Sequence, residues 1–487
     1  MTPRFALSAL TAATLTIGLA GCGGSSNNDH TPPDDGAPAR GALLAGPTTT
    51  ALFASAADLQ SALAATAAGR QLMALGGAPR CGVRLAHVAY ATVGGRAEPT
   101  NASAAVMVPQ GADPACSGAR PVLLYAHGTT FDRAYNMASP ANGEAGLLTA
   151  LYASQGYLVV APNYAGYDVS TLGYHPYLNA EQQSADMVDA LRAARQSYAQ
   201  LGTSESGAVL VSGYSQGGHV AMATARAMQQ ADLSGEFRLL AAGPMSGPYA
   251  LSSMLRTVFA GGVNLGATGF TPLLMTSWQH AYGNLYATPA EAYEDAYAAT
   301  VPTLLPGTTP FGTLLATGQL PPYLFSGGAL EAGTPMDAVF AAGVGSPFLI
   351  RDSYRHAAMT QPAHPLWAAA ERNDLRNFTP ARPMALCYGA ADPVVFGANT
   401  LEAESYFHAQ GAQALITRMD VEDPTTVGTP LANAFAQAKQ AVASDPDAAG
   451  NSPEEKVLLA YHGGLVPAFC GVAVRGFFDT VLAASPR

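Results

Sequence analysis

The chain has 487 residues, 49% of them hydrophobic and 12% charged, with 51 glycines, 35 prolines and a formal net charge of −11. A composition this apolar and this poor in charge excludes a disordered chain, and the absence of a strict glycine period excludes a collagen-like one. Lys439 and Lys456 are the only lysines and no basic run occurs, which excludes an electrostatic footprint for nucleic acid.

A basic start at Met1 to Arg4 leads into an apolar run, Phe5 to Ala20, which reads as a processing segment rather than as part of the fold. The run is shorter than the ~20 residues that a membrane-spanning helix needs. The quartet Leu19-Ala20-Gly21-Cys22 follows and resembles the lipobox of bacterial lipoproteins. That resemblance implies a signal peptide over residues 1–21, lipidation of Cys22 and an exported protein whose membrane contact is this N-terminal anchor. The expected location is the outer membrane or cell surface, or else the periplasm or the medium. Residues 22–50 read as a flexible tether, dominated to about Gly46 by Gly, Ser, Asn, Pro and Asp. The other cysteines, Cys81, Cys116, Cys387 and Cys470, form an even set in an exported chain, so two disulfides are expected. Three pairings are open, and regional proximity favours Cys81 with Cys116 and Cys387 with Cys470; four buried free thiols are the alternative.

From Ala51 to Leu75 apolar residues recur at helical spacing, and Gly76-Gly77 stops the pattern. Strand-like runs follow at Val83 to Val93, Ser103 to Val108, Pro121 to Ala126, Tyr157 to Pro162, Ala208 to Ser212 and Phe237 to Gly243. The first two predict an antiparallel hairpin at one sheet edge. Helical patterns at Gly143 to Ser154 and Ala180 to Ala199 lie between the later runs, the alternation of a buried parallel sheet. Between about residues 249 and 376 the alternation gives way to Pro-, Gly-, Tyr- and Leu-rich sequence of helical character, which reads as a cap. Pro383 to Gly389 and Ala412 to Met419 resume the sheet, and a smaller insertion runs from Val421 to about Ser452. The expected α/β fold therefore has core segments 51–248 and 377–487 around an inserted cap, 249–376.

The run Val209 to Ser212 leads into Gly213-Tyr214-Ser215-Gln216-Gly217 and then into a helical pattern, Val220 to Gln229. This is a nucleophile elbow in context: a strained strand-to-helix turn presents Ser215 at a helix N-terminus, where side chains at 213 and 217 would collide with backbone. Upstream, the strand Pro121 to Ala126 ends in His127-Gly128-Thr129-Thr130. These two segments, with Val160-Ala161-Pro162-Asn163-Tyr164-Ala165-Gly166, resemble the α/β-hydrolase fold, and the insertion after the sixth predicted strand is similar to secretory lipases of the lipase A type. The resemblance covers roughly Val83 to the C-terminus. It implies an oxyanion hole made by the backbone N–H groups of Gln216 and Thr129. It also places Asn163 where the family more often has Asp.

The fold's chain order of Ser, Asp, His then directs the search. Asp392 follows the strand at Met384 to Tyr388 and is the expected acid; Asp420 and Asp423 read as surface carboxylates, one of which would be the acid if the strand count were one off. His462 is the sole histidine beyond the last predicted strand and is the expected base. His127 is expected to support the oxyanion loop, His219 to pack inside its helix, His87 to lie in the edge hairpin, His175 to sit in a loop or line the pocket, and His408 to face solvent. No metal or nucleotide motif is present, so no cofactor is expected. The pattern predicts a serine ester hydrolase, a lipase or esterase with polyesters also in range, acting on medium or long acyl chains. Two alternatives stay open: an exopeptidase, with Glu291, Glu294 and Asp295 as candidate amine ligands, and a non-catalytic surface-binding lipoprotein. The sequence leaves the oligomeric state undetermined.

Overall fold

The computed structural model describes residues 38–326, 347–446 and 449–485. The signal segment, Cys22 and the tether up to residue 37 lie outside the described residues. Nine strands form one sheet in the order β1-β2-β3-β5-β4-β6-β7-β8-β9. The strands are β1 (Leu43–Phe53), β2 (Gly82–Val93), β3 (Pro99–Gln110), β4 (Ala119–Ala126), β5 (Leu158–Pro162), β6 (Ser204–Tyr214), β7 (Arg238–Met245), β8 (Met384–Tyr388) and β9 (Ile416–Asp420). The pairs β1–β2, β2–β3 and β3–β5 are antiparallel, and every pair from β5 across to β9 is parallel.

Alternation along the central strands sorts side chains to two faces, each covered by helices. Val122, Leu124, Val209 and Val211 pack with Met187, Leu191 and Val220 from helices α4 (Ala180–Leu201) and α5 (Gln216–Met228). Leu123, Tyr125 and Leu210 pack with Leu148 of α3 (Gly143–Leu151) and with Phe469, Val474 and Phe478 of the last helix, Val466–Ala484. A third core, built around Trp278, Tyr293 and Trp367, belongs to the helices between β7 and β8. The chain thus carries a mixed sheet flanked by helices, with a helical insertion, which is the α/β-hydrolase architecture.

Four sequence expectations are corrected. The tether expected through residue 50 gives way at Leu43 to β1, whose Pro47-Thr48-Thr49-Thr50 stretch pairs with β2. The β-branched threonines suit a pleated edge, and the irregular register with little burial hides the period-2 pattern. Consequently the β2–β3 hairpin, with His87, is not at the sheet edge. The helix expected from Ala51 is two helices, α1 (Ala56–Ala64) and α2 (Ala67–Gly76), because Ser55 and Thr66 each cap a new N-terminus. The run expected as a strand from Ala412 begins as a short 3₁₀ turn, Gln413–Leu415, before β9.

The disulfides join Cys81 to Cys116 and Cys387 to Cys470. The second ties β8 to the last helix, the two elements that flank the site described next.

Candidate active site

Ser215 lies between β6 and α5 with φ +59° and ψ −120°, a left-handed backbone that a non-glycine residue holds only when its surroundings enforce it. Its N–H donates to Met245 O at 2.9 Å, and its carbonyl accepts from Gly218 N at 2.9 Å. The two glycines of the elbow are sterically required. A Cβ at Gly213 would lie 2.2 Å from Gly217 O, and one at Gly217 would lie 2.0 Å from Ala126 O.

The structure brings the three sequence-predicted residues together. His462 Nε2 is 2.7 Å from Ser215 Oγ, and His462 Nδ1 is 2.6 Å from Asp392 Oδ2. The carboxylate accepts from Nδ1–H, so Nε2 carries the lone pair that faces the serine hydroxyl. The other Asp392 oxygen accepts from the N–H groups of Val394 and Val395, at 2.9 and 3.1 Å. Both carboxylate oxygens are therefore satisfied in a residue only 4% exposed. His462 sits in a π-helical turn, Tyr461–Leu465, and its carbonyl accepts from Tyr214 OH at 2.6 Å. Asp420 and Asp423 stand elsewhere: Asp420 accepts from Glu422 N, and Asp423 caps the short helix Pro424–Val427.

Gln216 and Thr129 both line the cavity that contains Ser215. Among the described residues, neither backbone N–H donates to an acceptor. Thr129 Oγ1 meets Tyr177 OH at 3.0 Å. Apart from Asn264 and Thr271, the rest of the wall is largely apolar, with Leu178, Leu251, Met254, Leu255, Val258, Phe270, Leu274, Val394 and Val395. Six of these, from Leu251 to Leu274, come from the insertion between β7 and β8. Glu291, Glu294 and Asp295 are not in this wall, and Asp295 pairs with Arg351.

His127, His219, His175 and His87 bond to other partners. His127 is fully buried, stacks on Tyr164 at 4.2 Å and meets Gly128 O through Nδ1 at 2.6 Å. Burial pushes its pKa down to about 4, and those of His219 and His175 down to about 4 and about 3, so all three are neutral above pH 5. His175 Nδ1–H donates to Ala165 O at 2.9 Å, which leaves Nε2 to accept from the Gln216 side-chain amide at 2.6 Å. Sequence reasoning offered His175 only as a loop or pocket residue, because its partner is 41 positions away in the chain. It likewise passed over Tyr214, the variable residue of the elbow motif. His87 pairs with Asp168, and His408 is exposed.

The secretory lipase family model matches residues 142–295, from the start of α3 through the elbow into the insertion. The chain is similar to the rice cell wall degrading esterase LipA of Xanthomonas oryzae in a ligand-bound form, at 30% identity over 91% of this chain and 100% of that one, TM-score 0.70. A Legionella pneumophila protein, at 19% identity over 83% and 100% of the two chains, TM-score 0.63, shares the fold. So does Candida antarctica lipase A, at 13% identity over 91% and 92%, TM-score 0.51. No curated protein matches. With a motif-bearing segment that fits the family model and a 30% identical structural relative spanned along its whole length, this chain belongs to the secretory lipase family of α/β hydrolases.

Proposed function

We propose that the protein is a serine esterase in which Ser215, His462 and Asp392 act as a catalytic triad. Membership in the secretory lipase family makes it an exported carboxylic ester hydrolase; the residues and the steps are our reading. The observation that carries it is the 2.7 Å contact between His462 Nε2 and Ser215 Oγ, with Asp392 on the far ring nitrogen.

In the first half-reaction Ser215 Oγ forms a bond to the ester carbonyl carbon while its proton passes to His462 Nε2. The carbonyl π electrons move onto oxygen, and the N–H groups of Gln216 and Thr129 receive that oxyanion. Collapse expels the alkoxide, which takes the proton from His462 and leaves an acyl-Ser215 ester. Water then repeats the sequence through His462 and releases the acid. Asp392 holds the imidazole in the required tautomer and balances the imidazolium between steps.

The apolar wall behind Ser215 suits the acyl chain rather than a charged group, and residues 249–376 act as its cap. Esters of medium or long acyl chains are the substrates this wall favours, with lipids and polyesters as natural forms. Lipidated Cys22 would hold the enzyme to a membrane through the tether. The test is hydrolysis of p-nitrophenyl esters from acetate to palmitate by the protein lacking residues 1–22 and by its Ser215→Ala variant. Activity should fall by about 10⁴-fold or more in the variant, with an optimum beyond acetate. Equal rates in the two proteins would remove the assignment.

A further inference from the structure

The oxyanion loop is held from beneath by a carboxylate. Glu144, in the first turn of α3, accepts the Gly128 N–H on both oxygens, at 3.2 and 3.3 Å. Two tyrosines close the same carboxylate: Tyr125 OH donates to Oε1 and Tyr135 OH to Oε2, each at 2.9 Å. A Cβ placed on Gly128 would lie 3.9 Å from Glu144 Oε2 and 3.9 Å from Ser215 Cβ, so this peptide separates the carboxylate from the nucleophile.

Gly128 has no side chain of its own to fix its torsions, and both of its polar ends are held by other residues. Glu144 holds its N–H, and His127 Nδ1 holds its carbonyl at 2.6 Å. In a trans peptide the N–H points opposite to the carbonyl that precedes it. With the Gly128 carbonyl turned back onto His127, the Thr129 N–H is turned away from that ring.

We propose that Glu144 is a positioning residue of the oxyanion hole: by gripping the Gly128 N–H it fixes the Gly128–Thr129 peptide so that the Thr129 N–H meets the developing oxyanion. The inference rests on the serine-esterase reading above. A merely structural carboxylate fits poorly, because burial raises the Glu144 pKa despite three donors that lower it. A carboxyl raised in the fold opposes stability at neutral pH, where the unfolded chain holds the charge in water at less cost. Its benefit is therefore sought in position rather than in stability. Neither tyrosine replaces it, since each donates to the carboxylate and not to the loop.

The experiment compares wild type, Glu144→Ala and Glu144→Gln in kcat and KM for p-nitrophenyl butyrate and in Ki for an alkyl trifluoromethyl ketone. Attack of Ser215 on that ketone places an oxyanion in the same hole. For Glu144→Ala, kcat should fall about 10- to 100-fold and Ki should rise by a similar factor, with KM within about twofold, since a misaimed donor costs less than a deleted one. Glu144→Gln should move both quantities in the same direction by less, because its amide keeps one acceptor oxygen. Should the alanine variant fail to fold, the glutamine variant decides by the same readouts. A folded variant with kcat and Ki both within about twofold of wild type would overturn the proposal. Failure of the wild type itself to hydrolyse the ester and bind the ketone would instead refute the esterase reading.

Discussion

Single residues divide here into those announced by a motif and those whose meaning depends on a distant partner. Ser215 stands in a pentapeptide whose glycines are sterically forced, and His462 is singled out by chain order, so both were legible in the sequence. Glu144, Tyr214 and His175 were not, because each acts through a contact with a backbone or side chain that the sequence does not place beside it. Asp186 of α4 belongs to this second group. It is fully buried, accepts from Tyr90 OH at 2.6 Å and from Ala165 N at 2.7 Å, and its pKa is pushed up to about 6, chiefly by burial. The native state therefore keeps this proton up to about pH 6, whereas an unfolded chain releases it near pH 4. Its contribution to stability is full below pH 4 and declines as pH rises to about 6. In urea titrations, Asp186→Asn should lose less unfolding free energy than wild type between pH 4 and pH 7, by on the order of 3 kcal/mol. Any misfit of the new amide is the same at each pH, so parallel profiles for the two proteins would show that Asp186 does not titrate as described.

At the scale of elements, the sequence read the central strands well and the edge poorly. The buried parts of β4 to β8 are apolar on both faces and bounded by turns, a pattern that few other structures produce. Strand β1 is largely exposed and irregular in register, so its residues carry no alternation to read. The proposed triad depends on how β8 and the last helix are held together, since Asp392 follows one and His462 precedes the other. The Cys387–Cys470 disulfide joins them across 83 residues of sequence, and both cysteines are fully buried. By loop entropy, such a cross-link stabilises by about 4 to 5 kcal/mol. The double variant Cys387→Ala/Cys470→Ala should therefore unfold at lower denaturant and lose activity faster on heating. If its unfolding midpoint and inactivation half-life match wild type, the bridge is not what holds the acid and base segments together.

For the molecule as a whole, the division of labour is between a sheet whose ends carry Ser215 and Asp392 and an insertion that supplies most of the apolar wall. The fold class was legible because strand and helix alternate before the insertion and resume after it. The wall was not, since helices with no strand period reveal their burial only against a partner. The central claim is that Ser215 is the nucleophile of an acyl-enzyme reaction. Its most direct test is to react the protein with an alkyl fluorophosphonate and locate the adduct by mass spectrometry. One phosphonyl group per chain is expected, on Ser215, with ester hydrolysis lost in proportion. An unlabelled Ser215 in protein that still hydrolyses esters, or an adduct on another residue with activity lost in step, would contradict it.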